Sequence, residues 1–203
     1  MVLLKHVARE STKMNRIAID IDEVLMPFVK PMADWRGLKM PRHRGYRYVY
    51  REMFKMTEFE SQKMVREFYE SQAFEMIEPT EGAVEAVARL RHGATKIYAV
   101  TGRQQPVREK TEDWLGLHFP GLFNDLVLTD SYTEHEIAKV DVCRALHLDT
   151  IIDDNELNCL SCAYGGMTAI HFAGSEGVLY PWCDCTDSSV LGWGEVDCGN
   201  RGQ

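Results

Sequence analysis

Two pairs of carboxylates stand where short apolar runs end. Asp20 and Asp22 follow Ile17-Ala18-Ile19, and Asp153 and Asp154 follow Ile151-Ile152. At strand spacing, residues two apart leave the backbone on the same side. A buried strand that ends in same-side acids is costly unless a cation sits between them. The set is all oxygen, with no His or Cys beside it, which suits a hard cation, and Mg²⁺ is the natural choice. The plainer reading has Asp20 and Asp22 closing a strand as turn residues. For Asp153 and Asp154 it is capping of the following helix, which explains one acid and not two, since Asn155 can serve as the cap. Thr101, followed by Gly102 and Arg103, ends another apolar run just before a helix. It is either a capping hydroxyl or a ligand for an anion. Lys139 falls early in an expected helix, where the dipole disfavours a cation. It is either a solvated surface lysine or a charge aimed at an anion.

These residues need elements to hold them. The patterning gives strands at Lys96 to Thr101, Asp125 to Thr129, Thr150 to Asp153 and Met167 to Phe172, besides the opening run. Helices are expected between them: from Pro79–Thr80 to Gly93, from Pro106 to about Leu117, from Glu134 to His147, and from Glu156 to Tyr164 with Gly165–Gly166 closing it. Five short apolar strands joined by helices imply an α/β fold, a three-layer Rossmann-like parallel sheet with helices on both faces. Ligands of such sheets sit outside the carboxyl ends of the strands, where the acids and Thr101 lie. Residues 27–80 read as an inserted helical subdomain. Phe28, Met32 and Trp35 share one face, Gly37 closes that helix, and Thr57 with Glu60 forms a capping box for a helix through Tyr69. The expected division is a core of residues 14–26 and 81–185, a cap of 27–80, an N-terminal extension of 1–13 and an irregular tail of 186–203.

A chain of 203 residues with 45% hydrophobic content suits one domain with an insertion. The net charge of −8 argues against general binding to duplex nucleic acid. No apolar run approaches the roughly 18 residues of a membrane helix, and the first residues do not read as a signal peptide. A cytoplasmic, reducing environment with free thiols is therefore expected for the six cysteines. Cys159 and Cys162, with Cys183 and Cys185, offer a zinc site as an alternative. Against it, Cys159 and Cys162 fall inside a helix as small buried residues. Arg36 to Lys55 holds seven Lys or Arg against one acid, Glu52. That block is either a solvated face or a rim that steers anions.

In order along the chain, D-I-D-E-V-L, A-V-T-G-R, the isolated Lys139 and I-I-D-D-N resemble the four motifs of the haloacid dehalogenase superfamily. P-T-E-G-A-V-E-A-V-A-R-L, T-E-D-W-L-G-L-H-F-P-G-L-F and I-I-D-D-N-E-L-N-C through Pro181-Trp182 resemble its deoxyribonucleotidase-type branch and related nucleotidases. Two positions depart from that branch, with Glu23 in place of a usual Gly and Cys183 in place of Asn. The resemblance implies a Mg²⁺-dependent phosphomonoester hydrolase. Asp20 would be the nucleophile and Asp22 the general acid and base. Thr101, Gly102, Arg103 and Lys139 would bind the phosphoryl group, and Asp20, Asp22 through its backbone carbonyl, Asp154, and Asp153 directly or through water would hold the metal. It also implies a small phosphorylated substrate, nucleotides first, with Arg42, Arg44, Tyr46, Arg47, Tyr48 and Tyr50 of the cap as candidate contacts. Sugar phosphates, phosphoproteins, or a catalytically silent binding role of the same fold are the alternatives.

Overall fold

Parallel strands need crossover connections, so buried strands alternating with helices close as a parallel sheet covered on both faces. The computed structural model, which describes residues 15–42, 46, 49–184 and 189–196, has that architecture. Its strands are β1 (Arg16–Ile19), β2 (Lys96–Thr101), β3 (Asp125–Leu128), β4 (Thr150–Asp153), β5 (Thr168–Phe172), a short antiparallel pair β6 (Gly174–Ser175) and β7 (Val178–Leu179), and β8 (Ser189–Val190). The main sheet is parallel, six strands in the order β3-β2-β1-β4-β5-β8. Strand order reverses beside β1, so the crevice between the carboxyl ends of β1 and β4 is the position for a ligand.

The helices are α1 (Val29–Arg36), α2 (Val49–Phe54), α3 (Glu58–Tyr69), α4 (Gln72–Glu75), α5 (Ala83–Gly93), α6 (Arg108–His118), α7 (Lys139–Ala145) and α8 (Glu156–Tyr164). Side-chain alternation in β1 splits the core in two. Ile17 and Ile19 join α5, α6 and the inserted helices in the larger cluster. Ala18 faces Val142, Cys143 and Cys162 of α7 and α8 in the smaller one. Within the insertion, Gly37 takes φ 72° to end α1, and Thr57 caps α3 in a reciprocal box with Glu60.

The structure departs from the sequence expectations in three places. The helix expected from Glu134 begins only at Lys139, because local side-chain bonds hold residues 130–136 in turns. Thr133 donates to the Asp130 carbonyl, His135 N–H to Thr133, and Tyr132 N–H to Glu136. The helix expected from Pro79–Thr80 begins at Ala83, since Thr80 N–H is spent on the Leu25 carbonyl and Gly82 takes φ 76°. Residues 186–203, expected to be irregular, include a sixth strand of the main sheet. Beyond it Trp193 is buried against Phe172 at 5.4 Å and donates its indole N–H to the Val24 carbonyl at 2.9 Å. Residues 1–13 of the expected extension lie outside the described residues.

Trp193 ties the chain's last described turn to the loop after β1. Trp193→Ala is expected to lower unfolding free energy by about 3–5 kcal/mol. Chemical denaturation checks this, and a loss below about 1 kcal/mol would mean that the tail is not part of the folded unit.

Candidate active site

The β1–β4 pairing carries one step past the end of β1, with Asp20 N–H donating to the Ile152 carbonyl at 2.9 Å. This sets Asp20 beside Asp153, and both side chains lie on the α7 side of the sheet, opposite to Ile19 and Ile152. Lys139, the first residue of α7, reaches between them. Its Nζ is 2.8 Å from Asp20 Oδ2 and 2.7 Å from Asp153 Oδ2, and all three residues are buried. A cation at a helix N-terminus is unfavourable on dipole grounds, so it is the two acids that hold it there. Asp153 also accepts from Asn155 N–H at 2.8 Å and from the Asn158 amide at 3.2 Å. Asn155 caps α8 by accepting from Leu157 and Asn158 N–H. Asp153 and Asp154 are thus not that helix's cap.

Asp20, Asp153 and Asp154 each present an oxygen within 4.8 Å of the other two, the one such acid, His or Cys group of three among the described residues. Three carboxylates face one ammonium. Burial, reinforced by Asp153 and Asp22, pushes Asp20 up to about 7 against the pull of Lys139. Burial, with Asp153, Asp20 and Glu23, raises Asp154 well above the usual carboxylate range, opposed by a hydrogen bond from Trp182. Burial works against the charge on Lys139, but Asp153 and Asp20 overcome it and hold the ammonium protonated. A small, buried, oxygen-only site with unbalanced negative charge fits a hard divalent cation.

Asp22 lies elsewhere. The strand ends at Ile19 and the chain turns back at once, with Val24, Leu25 and Met26 N–H all directed at the Ile21 carbonyl. The Asp22 carboxylate is not in the cluster of three. Arg103 takes it instead, with Nη2 2.7 Å from Oδ1 and Nε 3.1 Å from Oδ2. The guanidinium also donates to Thr111 and lies over the rings of Phe28, Tyr69 and Phe74 at 5.5–5.8 Å. Arg103, expected to touch substrate, is buried and committed to Asp22, whose side chain stays 28% exposed. Thr101 is fully buried. Its hydroxyl accepts from Arg103 N–H at 3.3 Å, and its carbonyl binds Thr129. Gly102 packs so close to Ser131 that an added Cβ would come within 3.0 Å of its hydroxyl oxygen.

Glu23, seen in the sequence only as a departure, has a structural task. It adopts φ 66°, a conformation that disfavours side chains. Its carboxylate accepts from Phe28 N–H at 2.9 Å and Val29 N–H at 2.5 Å, capping α1 from a distance. Burial pushes it up to about 7, the two N–H donors opposing. Of the cap contacts expected for a nucleotide, Arg44, Arg47 and Tyr48 lie outside the described residues. Tyr50 packs on Phe28, and Tyr46 donates to the Arg42 carbonyl. Among the described residues the cysteines form no group of three potential metal ligands. Cys159 donates to the Asp153 and Ile170 carbonyls and Cys183 to the Asp154 carbonyl, while Cys185 lies outside the described residues.

A carboxyl whose folded pKa exceeds its unfolded value binds more protons folded than unfolded between the two, so stability falls as pH rises through that window. For Asp20 and Glu23 the window runs from about 4 to about 7. In metal-free buffer the thermal midpoint is expected to fall across it. Glu23→Gln, which keeps the accepting oxygen, is expected to remove roughly 3 kcal/mol of the decline. An unchanged slope would place Glu23 in an environment like water.

No protein-family model matches the chain, and no curated protein does. Solved structures do. A HAD family hydrolase from Deinococcus radiodurans R1 with bound phosphate and sodium is 13% identical at a TM-score of 0.60, over 91% of this chain and 93% of that one. A haloacid dehalogenase-like family hydrolase from Streptococcus pneumoniae is 13% identical at 0.59, over 84% and 90%. At such identities the likeness is one of fold, and it does not distinguish the nucleotidase-type branch. The chain is folded as the haloacid dehalogenase-like hydrolases are.

Proposed function

We propose that this chain hydrolyses small phosphomonoesters through a phosphorylated Asp20. The observation that carries the reading is the meeting of Asp20, Asp153, Asp154 and Lys139 at the switch point of the sheet. An Asp20 oxygen attacks phosphorus and forms a new O–P bond as the bond to the leaving oxygen breaks. Asp22, its side chain 28% exposed, gives a proton to that oxygen; water then attacks phosphorus as the Asp20 O–P bond breaks, and passes a proton back to Asp22. The products are an alcohol and inorganic phosphate. Lys139 and the Thr101-Gly102 segment hold the phosphoryl oxygens and stabilise the charge they gain. Arg103 fixes Asp22 in place and joins it to the rings of the inserted helices, whose closure excludes water from the site. Asp20, Asp153 and Asp154, with the Asp22 carbonyl, would hold Mg²⁺, which neutralises phosphoryl oxygens when bound.

Within the phosphomonoesters, 5′-nucleotides are the first class to test, on the strength of the motif resemblance. Sugar phosphates are the second.

Asp20→Asn is expected to reduce p-nitrophenyl phosphate turnover to background while circular dichroism shows a native, cooperatively unfolding chain. EDTA is expected to stop wild-type turnover and Mg²⁺ to restore it. Near-wild-type activity of Asp20→Asn would remove Asp20 as nucleophile, and indifference to EDTA would remove the metal assignment.

A further inference from the structure

Tyr180, Trp182, Cys183 and Trp193 take no part in the chemistry above, yet their side chains end on the two loops that carry it. The Tyr180 hydroxyl donates to the Glu23 carbonyl at 2.6 Å, and Trp193 secures the neighbouring Val24. Three further contacts converge on Asp154. The Trp182 indole N–H donates to Asp154 Oδ2 at 3.0 Å, and the Cys183 thiol to the Asp154 carbonyl at 3.3 Å. His171 on β5 places Nε2 3.1 Å from that same carbonyl and Nδ1 3.0 Å from Ser189 Oγ on β8. A carbonyl oxygen only accepts, so Nε2 carries a proton and donates it to Asp154. Asp154 therefore has its backbone held by two donors and one carboxylate oxygen held by a third.

That third contact opposes a specific force. Asp153, Asp20 and Glu23 all repel the Asp154 carboxylate, and an unrestrained side chain would turn away from them. We propose that Trp182 is a positioning residue for the divalent cation, fixing the Asp154 carboxylate so that its other oxygen faces Asp20 and Asp153. The segment after β7 is by this account the outer wall of the cation site. Groups that orient a metal ligand commonly contribute about ten- to a hundred-fold in affinity. Trp182 is itself stacked on Tyr180 at 5.0 Å and 9°, which fixes the plane of the indole. The inference rests on the acid cluster being a cation site, as set out under the proposed function.

The test uses the full chain without substrate and Mn²⁺ alone as the probe, with free Mn²⁺ read by electron paramagnetic resonance. Trp182→Phe keeps the ring and removes the N–H. Replacement of Trp182 by benzothienylalanine, which puts sulfur where the N–H was, keeps the shape as well and serves where the Phe variant folds poorly. The expected result is a Kd for Mn²⁺ raised about ten-fold or more, with the metal-free thermal midpoint unchanged. A wild-type protein that binds Mn²⁺ no better than either variant overturns the role of Trp182 and leaves the cluster standing. A wild-type protein that binds no Mn²⁺ overturns both.

Discussion

Three carboxylates brought within 4.8 Å of each other at the mouth of a buried sheet repel, and one ammonium cannot balance them. Most of what surrounds the site follows from that constraint. Lys139 sits against the dipole of its own helix because Asp20 and Asp153 hold it there. Asp153 needs Asn155 and Asn158 besides. Asp154 is held by donors from β5 and from the segment after β7. Burial, reinforced by the neighbouring acids, leaves Asp20 and Asp154 with raised proton affinities.

Asp22 belongs to a second arrangement, joined to the first through the turn at Ile21. A guanidinium among Phe28, Tyr69 and Phe74 is a buried charge, and Asp22 is its partner. Through Arg103 one ion pair links the loop after β1, the end of β2 and the inserted helices. Glu23 makes a second link, from the same loop to the start of α1. The inserted helices are thus tied to the loop that carries Asp22, a coupling that suits the acid–base role proposed for it.

The placement of Asp20, Asp153, Asp154 and Thr101 was legible in the sequence because it follows from one rule. Residues just past the carboxyl ends of parallel strands gather at one edge. Lys139 was legible by its misfit, a cation where a helix dipole repels one. The rule says nothing of the Asp22 side chain, which Arg103 takes outside the group of three acids. It failed for Arg103, whose partner lies 81 residues away in sequence. The start of α7 was missed because the turn bonds of Thr133 and Glu136 compete with a helix whose periodicity looked sound. The sixth strand is two residues long, too short for any period, and exists by pairing with β5. Trp182 and His171 carry no local signal of their task, which depends on a contact with Asp154 that only the fold creates.

Asp20, whose proton affinity burial raises to about 7, should surrender its proton when a divalent cation binds. Titration calorimetry of Mg²⁺ into the substrate-free protein near pH 7, in buffers of different ionisation enthalpy, counts the protons displaced. The account predicts one bound ion per chain and net proton release, with both lost in Asp20→Asn. Binding without proton release, or no binding in the wild-type chain, would contradict it.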